Sequence, residues 1–83
     1  STAVLAHGAE DITVANNIFV GRDLTYGIRF GDTGGNTPTG VVQNNIFYGA
    51  SEPIAIVASA AGKVNKGYNI LYDYSFSPSC YFY

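Results

Sequence analysis

The stretch Asn16-Asn17-Ile18-Phe19 recurs as Asn44-Asn45-Ile46-Phe47, and a looser copy follows as Tyr68-Asn69-Ile70-Leu71. The spacing of the copies lies within the roughly 20–50 residues that mark stacked, quasi-one-dimensional folds. Aligning the chain on these columns divides residues 1–73 into coils at about 1–21, 22–49 and 50–73, followed by a tail at 74–83 that follows no repeat.

Each coil reads as three short strands. The first type is Ala3–Ala6, Gly27–Phe30 and Ile54–Val57. The second is Ile12–Val14, Val41–Gln43 and Val64–Lys66. The third is Ile18–Val20, Ile46–Tyr48 and Ile70–Tyr72. All are rich in β-branched or aromatic residues and bounded by Gly, Asn, Asp or Pro, while no window sustains a helical apolar stripe. Ala58 to Gly62 reads as a turn. The Gly-, Asn- and Pro-containing insertion 31–40 accounts for the longer second coil and reads as a projecting loop, a place where solenoids put contacts.

The expected fold is therefore an all-β parallel β-helix of about three coils, with an asparagine ladder at one turn. A side-chain amide carries both a donor and an acceptor, so it can satisfy main-chain groups left unpaired at a tight bend. Amides stacked at the ~4.8 Å strand spacing can also bond one another. Asn17, Asn45 and Asn69 form the complete column, whereas Asn16 and Asn44 align with Tyr68. Behind the ladder, Phe19, Phe47 and Leu71 are expected to stack in the core. Lys66 aligns with Val14 and Val42, an inward column, which implies either a distorted last coil or a strand with flipped alternation.

Composition narrows the function classes. Hydrophobic residues make up 47% of the chain and charged residues 12%, too apolar for disorder. No apolar stretch approaches the ~20 residues of a membrane span. Ser1 opens the chain with no signal-peptide pattern, and the missing initiator Met reads as processing or excision from something longer. The net charge of −2, with only Arg22, Arg29, Lys63 and Lys66 basic, argues against a nucleic-acid partner. Cys80 is the single cysteine, so it is either an inert thiol or a partner for another chain.

The stretches 12–19 and 41–49, with the phrases Gly27-Ile28-Arg29-Phe30-Gly31-Asp32 and Gly67-Tyr68-Asn69-Ile70-Leu71-Tyr72-Asp73, resemble the right-handed parallel β-helix of the pectate-lyase-like superfamily. The resemblance covers about residues 3–73 and implies an extracellular or cell-surface protein that meets carbohydrate. It also implies a groove along the first strand type, where a lyase would place a base and a cation to stabilise the charge of a uronate enolate. The candidates there are His7 as base and Arg22 and Arg29 as carboxylate clamps, and the alternative is ordinary surface charge. Members usually have many more coils than three, and none of their catalytic motifs is matched residue by residue.

No cofactor is expected. Calcium is conceivable only at Asp32, whose other reading is a turn cap. The tail contributes Tyr74, Phe76, Cys80, Tyr81, Phe82 and Tyr83, which would cap the last coil, pack on another copy or stack on sugar. Each open end of so short a solenoid leaves on the order of 300 Å² of apolar surface half covered, roughly 8 kcal/mol. Two such losses rival the ~5–15 kcal/mol net stability of a whole domain. The expectation is a structural unit that self-associates end to end as a filament or oligomer. The alternative is a terminal fragment of a secreted polysaccharide lyase, or a carbohydrate-binding module, acting on acidic polysaccharide.

Overall fold

The computed structural model describes residues 1–74 and 80–83, with the backbone alone at 80–82. The strands are β1 (Thr2–His7), β2 (Ile12–Ala15), β3 (Ile18–Val20), β4 (Tyr26–Gly31), β5 (Gly40–Gln43), β6 (Ile46–Tyr48), β7 (Glu52–Ile56), β8 (Val64–Gly67), β9 (Ile70–Tyr72) and β10 (Cys80–Phe82). They form three sheets, ordered β1-β4-β7, β2-β5-β8 and β10-β9-β6-β3. Every pairing is parallel except the antiparallel β10–β9. An all-β chain whose sheets each take one strand from successive segments is consistent with a β-helix of about three coils.

The register follows the hydrophobic columns, because in a strand a one-residue slip would turn every core side chain outward. Val4, Ile28 and Ile54 share one column, as do Phe19, Phe47 and Leu71. Ile28, Phe30, Val42 and Phe47 are completely enclosed, and the rings of Phe19 and Phe47 stack at 4.8 Å with their planes 5° apart. Coil one is better covered than an open end suggests. Ala6 and Val14 are buried there, while Val4, Ile12 and Phe19 are only partly so.

The bend before each third strand is made by a residue with left-handed backbone geometry: Asn16 at φ 60°, Asn44 at 58° and Tyr68 at 60°. Asparagine tolerates that region because its short polar side chain can bond locally, and tyrosine does not. The doubled asparagine therefore has two jobs: the first residue makes the bend and the second points its amide inward. Gly40 answers a different demand. A Cβ there would lie 2.2 Å from the main-chain oxygen of Ile12, so the sheet can close only around glycine.

Four features of the chain differ from, or add to, the reading of the sequence. Lys66 stays in register with Val42, but burial does not alternate along β8: Val64 is buried, and Asn65 and Lys66 are both exposed. The lysine's Nζ lies 3.9 Å from the centre of the Tyr83 ring. Ala58–Ala60 forms a short 3-10 turn. The insertion 31–40 projects only in part. Thr33 and Asn36 bridge around the glycine pair 34–35, whereas Pro38 is fully buried. Finally, the tail contains a strand, β10.

Candidate functional site

Three regions gather the residues that could carry function. The first is an open groove of about 460 Å³ on the outer face of the β1-β4-β7 sheet. His7 and Arg29 both line it, joined by Tyr26, Asp32 and Glu52. His7 lies over Gly31, where a Cβ would come within 2.8 Å of the imidazole. The Arg29 guanidinium lies 5.1 Å from the centre of the Tyr26 ring. Asp32 accepts a 2.6 Å hydrogen bond from the Ser59 hydroxyl. Among the described residues no hydrogen bond joins His7 to Arg29 or to a carboxylate, so no proton relay is assembled. Tyr26 and Glu52 were not legible as groove residues, although they are register partners just ahead of the Ile28–Ile54 pair.

Arg22 does not line this groove. It sits at the corner after β3 and is bonded to the carboxylate of Asp73, at the corner after β9. The Asp73 side chain is 5% exposed and that of Arg22 52%. Gly49 lies between them, and a Cβ there would meet Arg22 Cγ at 3.2 Å. The sequence separation of 51 residues hid this pair.

The second region is the column of asparagine amides. Asn17 donates its main-chain N–H (2.9 Å) and its Nδ2 (3.2 Å) to Oδ1 of Asn45. Asn45 repeats both bonds to Oδ1 of Asn69, at 3.0 and 3.1 Å. Asn45 Nδ2 also donates back to the oxygen of Val14 in the preceding coil, and Asn69 Nδ2 to that of Val42, each at 2.9 Å. Asn45 and Asn69 are buried, and the pattern fits an asparagine ladder. From amide to amide the column is polar: Asn17 and Asn45 each donate to the Oδ1 of the asparagine in the later coil. It ends on Tyr83, whose main-chain oxygen accepts from Asn69 N–H at 3.1 Å and from Asn69 Nδ2 at 3.0 Å.

The third region is the pair of solenoid ends. The outer edges of β1, β2 and β3 face no strand among the described residues. At the other end β10 covers β9, while β7 and β8 pair with no further strand among the described residues. Open recesses of about 460 and 350 Å³ remain there, lined in common by Glu52, Ile54 and Tyr83. Tyr74 packs against the core and lines the larger one. The expectations placed on Phe76, and on the side chains of Cys80, Tyr81 and Phe82, lie outside the described residues.

Among the described residues, no group of three or more His, Cys, Asp or Glu side chains comes together to hold a metal. No helix among them is long and apolar enough to cross a membrane. No protein-family model, curated protein or solved structure matches this chain.

Proposed function

We propose that the chain is a structural, extracellular or cell-surface β-solenoid unit of the right-handed, pectate-lyase-like kind, and that it associates end to end with copies of itself. The observation that carries this reading is the set of three strand edges on coil one that pair with nothing among the described residues. β1, β2 and β3 keep the same inward columns as the coils beneath them, so their free edges offer what each internal coil offers its neighbour. Such edges are templates for further pairing. Joining unlike ends gives a heterologous contact that repeats without closing.

Sedimentation velocity across a concentration series, with electron microscopy of the same samples, tests the reading. Growth of species well above 8.8 kDa with concentration is expected. A monomer at every concentration overturns it.

A second reading is supported by the groove that holds His7, Arg29 and Tyr26, which has the cation and the aromatic ring suited to a uronate-containing glycan. Titration with oligogalacturonate, followed by the chemical shifts of His7 and the Arg29 side chain, checks binding. Absorbance of unsaturated uronate products checks cleavage. No shift and no product eliminates the reading.

A further inference from the structure

Tyr83 occupies, with a single residue, the hydrogen-bonding seat that the Asn-Ile step of another coil would fill. Inside the stack, an asparagine's N–H and Nδ2 meet the Oδ1 of the next asparagine, and its main-chain oxygen accepts from the N–H of the next isoleucine. Ile46 N–H to Asn17 O and Ile70 N–H to Asn45 O are both 2.9 Å. At Asn69 the main-chain oxygen of Tyr83 replaces the Oδ1, at 3.1 and 3.0 Å, and the N–H of Tyr83 replaces the isoleucine N–H, again at 2.9 Å. Coil one presents the same two groups outward. Among the described residues, Asn17 Oδ1 has no donor and Ile18 N–H has no acceptor.

We infer that β10 of one copy and coil one of a second copy compete for the same groups of Asn69, so that β10 gates end-to-end growth. This rests on the self-association proposed above and names its partner surface: Asn17 and Ile18 of one copy against Asn69 of the next. A head-to-tail contact gives Asn17 Oδ1 both the N–H and the Nδ2 of Asn69, as inside the column, whereas a second coil-one face offers it only an Ile18 N–H. β10 covers only one of the three sheets at its end. A docking copy can therefore seat on the free edges of β7 and β8 first and then exchange for β10, a strand-for-strand replacement that conserves the hydrogen bonds.

The test uses the full chain with β10 locked or loosened. Asn69 and Tyr83 exchange both main-chain bonds, so Tyr72 and Cys80, three positions along, form a narrow, non-hydrogen-bonded pair. Cα atoms in such a pair are ~4.5 Å apart, within disulfide reach. Tyr72→Cys is oxidised at high dilution, and the intramolecular disulfide is verified by mass. Its oxidised and reduced forms are then compared by sedimentation beside the unsubstituted chain. The oxidised form is expected to stay at 8.8 kDa while the reduced form assembles. Tyr83→Pro, which removes the N–H that bonds Asn69, is expected to lower the concentration needed for assembly about tenfold. Equal assembly of the oxidised and reduced forms overturns the competition and leaves self-association standing. Failure of every form to assemble overturns self-association, and the gate with it.

Discussion

Arg22 reaches past Gly49 to the carboxylate of Asp73, tying the corner of the first coil to the corner of the third. The bond runs past Gly49, which has no side chain to block it. Asp73 is the more buried partner, so removing the arginine strands a carboxylate in a place water reaches poorly. Arg22→Ala is expected to lower stability by about 1–2 kcal/mol, moderated by the exposure of the arginine. Asp73→Asn, which keeps a residue suited to φ 57°, is expected to cost less. Urea unfolding of both variants and the double variant measures this, and additive losses would show that the pair is not coupled.

Tyr68 is the one bend residue of its type without the side chain the geometry favours. It is 83% exposed, so its ring contributes little packing that a substitution would forfeit. Tyr68→Asn is expected to stabilise the chain by about 1 kcal/mol, by relieving left-handed strain at a bulky residue. The urea midpoint should rise with an unchanged slope. A fall in the midpoint would show that the ring has a contact worth more than the strain.

The amide column predicts a steep difference between chemically identical substitutions. Asn45→Ala leaves the N–H of Asn17 and the oxygen of Val14 without their side-chain partner, in a buried setting. About 3 kcal/mol or more should be lost. Asn17→Ala, at the exposed end of the column, should cost about 1 kcal/mol or less. Thermal unfolding followed by circular dichroism compares them, and equal losses would contradict a column that is buried only below its first rung.

Two glycines separate crowding from backbone conformation. Gly40→Ala places a methyl group against the main chain of Ile12, with nowhere for either strand to go, and is expected to cost more than about 3 kcal/mol or to abolish folding. Gly62→Ala meets nothing within 4 Å and suffers only its φ of +81°, so about 1 kcal/mol is expected. Expression and urea midpoints of the pair decide the point.

The three strand types and their columns were legible because apolar alternation and the doubled asparagine repeat together, and the third strands begin and end where the sequence placed them. The first asparagine of each pair was not explained by residue type. Its role is a backbone angle, and Tyr68 conceals that by adopting the same angle with the wrong side chain. β10 escaped notice because it satisfies the column with a main-chain oxygen, which every residue possesses. The groove was half legible. Alternation pointed Arg29 outward and adjacency placed His7 near it, but proximity in sequence wrongly gathered Arg22 to the same face, while its true partner lies 51 residues on.

The spacing between hydrogen-bonded neighbours also bears on how the chain reaches this structure. Column partners are 28 residues apart between the first two coils and 24 between the next two, close to a third of the chain length. Each parallel pairing joins strands a whole coil apart, so the entropy of closing that loop is spent before the first coil-to-coil contact returns anything. Such topologies fold slowly and expose strand edges while they do so. If copies associate as proposed above, the interval before the third coil settles is when one could most readily take the place of the chain's own next coil. Under the end-to-end association proposed above, the rate of synthesis and the local concentration of nascent chains would then bear on the final architecture.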